Sequence, residues 1–192
     1  MCMNMFCRDL AIPVGINCSI DVLTDRFPID KNTYLHKIFN NENHIWLSEE
    51  FELWLKTLNL YVPRVEIFHT EADRITGWHI DMIPPSDWVK INWVYEDGVS
   101  YMEYANLDKT AELNVKQSVA GTPYVRFEPE TTNTAFRYNL KGPTLINAGQ
   151  PHRVYNKKET DRWCLSAILW HTDKQSRVLW DDAVEIFKDY LQ

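Results

Sequence analysis

The sequence contains no pair of cysteines at the spacing that binds structural zinc. Its 4 cysteines are Cys2, Cys7, Cys18 and Cys164, and no two of them form a C-x-x-C motif. Three of the four lie close to the N-terminus, which favours reduced thiols over a disulfide framework. We therefore expect no structural zinc site, and we predict a cytoplasmic protein.

Long apolar segments and basic runs are also missing. The longest apolar run, at residues 164–170, is far shorter than the ~20 residues that a membrane-spanning helix needs. The N-terminus has no basic start followed by an apolar block, so we expect neither a signal peptide nor a membrane partner. The formal net charge is −7 and the lysines and arginines form no dense run, which argues against nucleic acid as a partner because phosphate binding normally needs a basic face.

The sequence does contain the composition of a globular domain rich in wide side chains. Its 192 residues suit one domain, and 8 Trp, 9 Tyr and 8 Phe favour a core built on β-sheets. We expect residues 1–61 to form helical or irregular support, residues 62–172 to form the sheet-built core, and residues 173–192 to form a C-terminal helix.

Helices are predicted only at the two ends of the chain. Near the N-terminus we expect a strand at 18–23, a helix over 33–39 capped by Asp30, and a clearer helix whose N-cap is Ser48. At the C-terminus, Asp181 or Asp182 is expected to cap an amphipathic helix.

Between these helices the period of the apolar residues changes to that of β-strands. The expected strands are 65–69, 75–81, 88–95, 99–104, 122–127, 134–140, 144–147, 152–155 and 162–170. The Asp-Gly turn at 96–98 predicts a hairpin between 88–95 and 99–104. Around eight short strands at close spacing are typical of a β-sandwich or jelly roll.

Two residues in this region have the side chains of metal ligands. His79 and Asp81 lie two positions apart in a predicted strand, so their side chains share one face. His152, at the start of a later strand, is the natural third ligand, because early and late strands become neighbours in a jelly roll. Two histidines and one carboxylate on one side of an octahedral ion leave three positions open, the pattern of non-haem Fe(II) oxygenases.

Arg162 is the fourth member of this set. The polar loop at 156–160 predicts a hairpin turn, and pairing centred on residue 157 would place Arg162 opposite His152. A long cation beside the metal site could bind a carboxylate through two parallel hydrogen bonds.

Together, His79-x-Asp81, His152 and Arg162 resemble the signature of the Fe(II)/2-oxoglutarate-dependent dioxygenases over residues 62–172. The resemblance implies a mainly β, double-stranded β-helix fold (a cupin-like jelly roll) with flanking helices. It implies that His79, Asp81 and His152 hold Fe(II), that Arg162 binds the far carboxylate of 2-oxoglutarate, and that O2 takes the last open position. The implied reaction releases succinate and carbon dioxide, and Asp81 favours hydroxylation over halogenation, because related halogenases have a small residue in its place.

Several other polar residues are candidates for binding the cosubstrate or the substrate. Asn92 is our choice for the near carboxylate of 2-oxoglutarate, while Tyr101 and Arg126 are further candidates. Some subfamilies have a serine two residues after the arginine, whereas this chain has Cys164 there and Ser166 two residues later on the same strand face. The spacing is similar to that of amino-acid-residue hydroxylases and of small-molecule oxygenases, so the substrate could be a peptide, a protein or a small molecule.

Other interpretations stay open on sequence alone. A cupin-like module that binds a metal or a sugar without oxidative chemistry would share the fold, and it would have no need of Arg162. Nucleic-acid demethylation uses the same chemistry, but the acidic charge weighs against it. Arg162 could merely pair with Glu159, and His171 could replace one of the metal ligands.

Overall fold

The computed structural model describes residues 6–29, 34–81, 86–95, 100–140, 142–156 and 159–192. The strands in this part of the chain are β1 (Cys7–Asp9), β2 (Leu35–Phe39), β3 (Leu60–Tyr61), β4 (Val65–Thr70), β5 (Arg74–Ile75), β6 (His79–Asp81), β7 (Val89–Tyr95), β8 (Tyr101–Leu107), β9 (Asn114–Gln117), β10 (Pro123–Arg126), β11 (Thr132–Tyr138), β12 (Thr144–Asn147), β13 (His152–Asn156), β14 (Arg162–Ile168) and β15 (Trp170–His171). The α-helices are α1 (Ile20–Arg26), α2 (Glu49–Thr57) and α3 (Trp180–Ile186), and single 3₁₀ turns lie at Glu42–His44, Pro129–Thr131 and Lys188–Tyr190.

Two antiparallel sheets make up the core. A six-stranded sheet has the order β1-β12-β7-β14-β4-β2, and a seven-stranded sheet has the order β11-β8-β13-β6-β10-β9, with β5 paired to β13. Numbered along the chain, the eight strands β4, β6, β7, β8, β11, β12, β13 and β14 are ordered 6-3-8-1 in the first sheet and 5-4-7-2 in the second. The chain therefore passes repeatedly from one sheet to the other, which is the winding of a jelly roll, or double-stranded β-helix.

The six-stranded sheet has two buried faces of different character. Its outer face carries apolar side chains such as Ile67, Ile91 and Leu165, which pack with the helices in the largest hydrophobic cluster. Its inner face points toward the other sheet and lines a cavity, where several of the side chains are polar. Because successive residues of a strand point to opposite sides, the same strands build both faces.

The prediction of a helix that begins at Ser48 is confirmed. The Ser48 hydroxyl accepts a hydrogen bond from the backbone N–H of Phe51 at 3.0 Å, and it donates one to the carbonyl oxygen of Gly15 at 2.7 Å. Phe51, Trp54 and Leu55 of α2 are buried against the outer face. The cap therefore fixes both the start of the helix and its attachment to the N-terminal segment.

Two predictions near the N-terminus are wrong. Residues 18–23 do not form a strand, because the Ser19 hydroxyl caps α1 and residues Ile20–Arg26 are helical. The predicted helix over 33–39 is instead strand β2, and its proposed cap Asp30 lies outside the described residues. Pairing with β4 from Leu35 to Phe39 outweighs the local signals for the start and end of a helix.

The predicted hairpin between 88–95 and 99–104 is also wrong, although both segments contain a strand. β7 pairs with β12 and β14 in the six-stranded sheet, whereas β8 pairs with β11 and β13 in the other sheet. The turn residues 96–98 themselves lie outside the described residues. Both edges of β7 are already occupied, so the chain crosses between the sheets at this point.

A third correction concerns the segment that carries Arg162. β13 and β14 do not form the expected hairpin, since β13 pairs with β5, β6 and β8, and β14 pairs with β4 and β7. His152 and Arg162 are therefore not cross-strand neighbours. They belong to opposite sheets of the jelly roll.

The remaining elements differ from prediction mainly in their boundaries. The strand expected at 75–81 is divided into β5 and β6, and the C-terminal helix begins at Trp180 after Leu179, with both candidate caps inside its first turn. None of the three α-helices in the described part of the chain combines the length and the apolar character needed to cross a membrane.

Candidate metal centre

The three predicted ligands come together where β6 and β13 pair. His79 and Asp81 are the first and last residues of β6, and His152 is the first residue of β13 and lies directly opposite His79. One ligand atom from each residue can be chosen so that all three atoms lie within 4.8 Å of one another. The two imidazole rings have their centroids 4.4 Å apart. This His-Asp-His cluster could hold a metal ion.

Hydrogen bonds to the backbone engage the same ring nitrogen, Nδ1, in both imidazoles. The Nδ1 atom of His79 is 2.8 Å from the carbonyl oxygen of Gly77, and that of His152 is 2.8 Å from the carbonyl oxygen of Gln150. A carbonyl oxygen only accepts, so each Nδ1 carries the proton and each Nε2 keeps a free lone pair in the neutral ring. This arrangement of a metal-ligating histidine is the usual one, because the second hydrogen bond fixes both tautomer and ring plane.

Asp81 is held by one oxygen and leaves the other available. Its Oδ2 accepts a hydrogen bond from Lys90 Nζ at 2.6 Å, while its Oδ1 lies 3.5 Å from His79 Nε2. The carboxylate therefore faces the histidines through a single oxygen. As a metal ligand it would be monodentate.

Lys90 connects Asp81 to a second buried carboxylate. Its ammonium group also donates to Glu66 Oε2 at 2.5 Å, and Glu66 Oε1 lies 3.6 Å from His36 Nε2. Lys90 and Glu66 are 3% and 4% exposed, so this pair is shielded from water. Buried charges of this kind are tolerated because each is paired and hydrogen-bonded.

The electrostatics of the cluster favour the protonation states that a metal requires. Burial and the neighbouring His79 lower the pKa of His152 to about 3, so its ring is neutral at pH 7. Burial raises the pKa of Asp81, but Lys90 and the two histidines outweigh that effect and hold the pKa well below its usual range. Burial lowers the pKa of Lys90, yet Asp81 and Glu66 outweigh it and keep the ammonium charged. Two imidazoles and one carboxylate are a donor set that suits a divalent ion of the first transition series.

The turn before β13 is built to place His152. A Cβ atom on Gly149 would lie 1.5 Å from the carbonyl oxygen of Ser86, so only glycine fits at this position. Asp87 Oδ1 accepts hydrogen bonds from the side-chain amides of Asn147 and Gln150, at 3.1 Å and 2.6 Å. Residues 149–151 therefore form a packed turn next to the strand that carries His152.

The cluster opens into a cavity of about 480 Å³ between the two sheets. Its lining includes all three candidate ligands, together with the predicted cosubstrate residues Arg162 and Asn92, and also Cys164, Ser166 and Arg126. Tyr101, a further candidate from the sequence, is not part of this lining. The volume is in the usual range for small-molecule sites.

Arg162 lies on the opposite sheet from the histidines and is 3% exposed. Its Nε donates to the hydroxyl of Ser100 at 3.0 Å. The alternative in which it pairs with Glu159 is not observed, and no acidic side chain forms an ion pair with it among the described residues.

Asn92 and Ser166 are neighbours on adjacent strands of the same inner face. Residues 92 and 166 are directly opposed in the pairing of β7 with β14, and the Ser166 hydroxyl donates to Asn92 Oδ1. With its oxygen engaged in this way, the Asn92 amide presents its NH2 group as a donor. Both residues are buried and both line the cavity.

Two other histidines are engaged away from the cluster. His69 lies 3.1 Å from Asp161, and His171 lies 3.4 Å from Asp182. Neither lines the cavity, so the structure gives no support to His171 as a substitute ligand.

The sequence interpretation missed the role of Lys90 and Glu66. Lys90 was recognisable as a polar residue in an apolar strand, and Glu66 interrupts the apolar residues Val65 and Ile67 in the same manner. The two strands are not direct neighbours, because β14 lies between them. The signal that could have identified this ion pair is an acidic and a basic residue, each on the inner face of its predicted strand.

Comparison with known proteins gives little further information. No protein-family model matches the chain, and no curated protein matches it. Among solved structures, the vicilin of Solanum melongena matches with a TM-score of 0.38 and 12% identity over 79% of this chain and 32% of its own. A point mutant of the Bacillus subtilis oxalate decarboxylase matches with a TM-score of 0.35 and 14% identity over 88% of this chain and 35% of its own.

A third structure, peruvianin-I, a cysteine peptidase from Thevetia peruviana latex, matches with a TM-score of 0.34 and 10% identity over 94% of this chain and 93% of its own. The chain spans about a third of the length of the vicilin and the decarboxylase. These likenesses are too slight to carry an argument about this chain. Its assignment as a jelly roll rests on the order of its own strands.

Proposed function

We propose that the chain is an Fe(II)- and 2-oxoglutarate-dependent dioxygenase that hydroxylates a C–H bond of an amino-acid residue or a small molecule. His79, Asp81 and His152 would hold the iron, and Arg162 would bind the far carboxylate of 2-oxoglutarate. Asn92 would donate its amide protons to the near carboxylate. When bound, iron, 2-oxoglutarate and O2 supply the oxidising power to replace a C–H hydrogen by hydroxyl, with release of succinate and carbon dioxide.

The observation that carries this proposal is the buried guanidinium of Arg162. A cation that is 3% exposed and has no acidic partner among the described residues needs an anion from elsewhere. It faces the same cavity as the His-Asp-His cluster, from the opposite sheet. A dicarboxylate that spans the space between a metal and a guanidinium satisfies both, whereas a metal-binding module without a cosubstrate leaves Arg162 unexplained.

The protein's own residues have three tasks in this reaction. Lys90 keeps one oxygen of Asp81 occupied, so the carboxylate offers a single oxygen to the metal. The carbonyl oxygens of Gly77 and Gln150 keep the two imidazoles oriented. Ser166 donates to the oxygen of the Asn92 amide, whose NH2 group would then be free to donate to the cosubstrate. Each of these contacts is already formed, so little reorganisation is needed on binding.

The test is anaerobic titration of the protein with Fe(II) and 2-oxoglutarate, followed through the metal-to-ligand charge-transfer absorbance of the chelate. The wild-type chain should develop this band, and Arg162→Met should weaken the apparent affinity for 2-oxoglutarate about 10- to 100-fold, as expected for loss of charge-assisted hydrogen bonds. Iron affinity, measured separately, should be unchanged. Arg26→Met is the matched control, because Arg26 lies over Trp46 on the helical side of the molecule.

Two outcomes would contradict the proposal. Folded protein that binds iron but develops no band with 2-oxoglutarate would favour the non-oxidative, cupin-like metal- or sugar-binding module. Equal loss of iron and 2-oxoglutarate binding in Arg162→Met would assign Arg162 a structural role. His79→Ala and His152→Ala should each abolish iron binding while the chain stays folded.

A further inference from the structure

Arg126 lies beside the candidate metal centre on the strand next to β6. In the pairing of β10 with β6, Arg126 is directly opposite His79 and Tyr124 is directly opposite Asp81. Opposed residues share a face, so both side chains are on the same side of the sheet as the ligands. The ring of Tyr124 meets that of His79 edge-on at 6.0 Å, and both Arg126 and Tyr124 line the cavity.

The Arg126 side chain packs beside Gly77. The Nε atom of Arg126 is 3.5 Å from the point that a Cβ atom on Gly77 would occupy, so the guanidinium group extends over this residue. Gly77 is also the residue whose carbonyl oxygen orients His79. The cation is therefore held next to the metal ligands, and it is an exposed residue that a molecule entering the cavity can reach.

Among the described residues that line the cavity, Arg126 is a cation without an acidic partner. Lys90 is paired with Glu66 at 2.5 Å, and Arg74 is paired with Glu71 at 3.5 Å. In the proposed complex, Asp81 and the two carboxylates of 2-oxoglutarate neutralise the divalent metal and Arg162. Arg126 has no ion-pair partner within the described ranges, so it contributes one uncompensated positive charge.

We propose that Arg126 anchors a carboxylate of the primary substrate and thereby selects acidic substrates; this inference rests on the proposed function. A single guanidinium matches a single planar carboxylate through two parallel hydrogen bonds. Tyr124, opposite Asp81, would pack against the carbon skeleton between that carboxylate and the oxidised carbon. A nucleic-acid strand would require a stripe of cations along its backbone, and the net charge of −7 of the chain disfavours such a partner.

The carboxylate could come from an acidic side chain in a peptide or from the α-carboxylate of a free amino acid. Two matched pairs of probes separate these sources. N-acetyl-aspartate methylamide and its asparagine counterpart differ only in the side-chain group, and leucine and leucinamide differ only in the α-carboxylate. The protein is loaded with Mn(II) and with saturating N-oxalylglycine, an unreactive mimic of 2-oxoglutarate that occupies Arg162.

The readout is the paramagnetic relaxation of the probe protons, which reports proximity to the bound Mn(II) and involves no turnover. In at least one pair, the carboxylate should relax at least fivefold faster than its amide. Arg126→Met should remove the difference, and Arg126→Lys should retain part of it. Arg74→Met is the matched control, because it removes a cavity-lining arginine that already has an acidic partner.

Each result bears on the proposal in a defined way. Equal relaxation of acid and amide in both pairs, or an acid preference that survives in Arg126→Met, overturns it. A preference in the aspartate pair identifies a peptide side chain, and one in the leucine pair identifies a free amino acid. If Mn(II) or N-oxalylglycine fails to bind, the proposed function fails. The same probes are then measured on metal-free protein by saturation-transfer NMR. An acid preference that requires Arg126 supports Arg126 as the carboxylate anchor, and the absence of such a preference overturns it.

Discussion

The two faces of the six-stranded sheet are both buried, yet they are made of different kinds of side chain. The outer face carries apolar residues that pack with the helices, including Val65, Ile67, Ile91, Leu165 and Ala167. The inner face carries polar residues that line the cavity, including Glu66, Lys90, Asn92, Arg162 and Ser166. Adjacent residues of one strand thus serve opposite purposes, because the strand alternates its side chains between the faces.

The difference shows how the fold tolerates a charged interior. Burial of apolar side chains on the outer face contributes about 25 cal/mol per Å² removed from water. Burial of charge on the inner face is unfavourable unless the charge is paired, as the charges of Lys90 and Glu66 are. The outer face therefore stabilises a sheet whose other side is organised to bind ligands. Toward β1 the inner surface itself becomes apolar, where Cys7, Met102 and Ile146 pack together.

The largest expected effect breaks the charge pairing of the inner face. Lys90→Met leaves the Glu66 and Asp81 carboxylates without their cation, and we expect a loss of about 3–5 kcal/mol in the free energy of unfolding, measured by urea denaturation. Lys90→Met/Glu66→Gln removes one of the two stranded charges and should recover part of that loss. If the single variant does not fold, the double variant still reports whether the pairing is responsible. A single variant as stable as wild type would show that the ion pairs of Lys90 do not stabilise the fold.

The next effect compares two adjacent residues of β14. Leu165→Ala leaves a cavity in the outer face, where Leu165 is 0% exposed, and should lower the free energy of unfolding by about 2–5 kcal/mol. Ser166→Ala removes one hydrogen bond to Asn92 on the inner face and should change it by only about 1 kcal/mol. Urea denaturation of both variants provides the measurement. Equal losses of unfolding free energy in the two variants would contradict the conclusion that the outer face contributes more to stability than the inner face.

A smaller effect concerns pH at the apolar end of the inner surface. Burial raises the pKa of the Cys7 thiol from 9.0 to about 12. The folded state therefore favours the protonated thiol, so this contribution to stability is complete below pH 9 and is lost as the pH rises toward 12. By linkage it should weaken stability by about 1–2 kcal/mol at pH 10. The free energy of unfolding should fall less between pH 8 and pH 10 in Cys7→Ala than in wild type, and parallel curves would contradict the assignment.

The smallest effect tests how the helical layer is attached to the outer face. Ser48→Ala removes the cap of α2 and should lower the free energy of unfolding by about 1 kcal/mol. Ser19→Ala is the control, because Ser19 caps the shorter helix α1 through a longer contact of 3.3 Å. In thermal unfolding, Ser48→Ala should lower the melting temperature more than Ser19→Ala. The reverse order would show that α2 is held by its apolar contacts alone.

The sequence predicted the inner face better through its motifs than through its strand pairing. His79, Asp81 and His152 converge as the spacing indicated, because i and i+2 residues share a strand face and the jelly roll brings late strands next to early ones. Arg162 lines the same cavity, but the predicted hairpin that placed it there does not exist. A local pairing rule could not find this, because the polar loop between β13 and β14 connects two sheets.

The other failures have the same physical origin. The segment at 33–39 is predicted as a helix from its cap and stop residues, but pairing with the edge of β4 makes residues 35–39 a strand. The ion pair of Lys90 with Glu66 joins strands that are separated by β14. The sequence predicts which side chains of a strand share a face, but it does not predict contacts that depend on the order of strands in a sheet.

That order also determines when the molecule can fold. β14 is the last of the eight core strands along the chain, yet it lies between β4 and β7 in the middle of the six-stranded sheet. During synthesis, β4 and β7 must wait with open edges until residues 162–168 have emerged from the ribosome. Lys90 and Glu66 therefore stay hydrated until that late insertion, which removes them from water in the same event that delivers Arg162. A nascent chain that stops before β14 contains all three candidate metal ligands but presents unpaired strand edges, which are prone to aggregation and to recognition by chaperones.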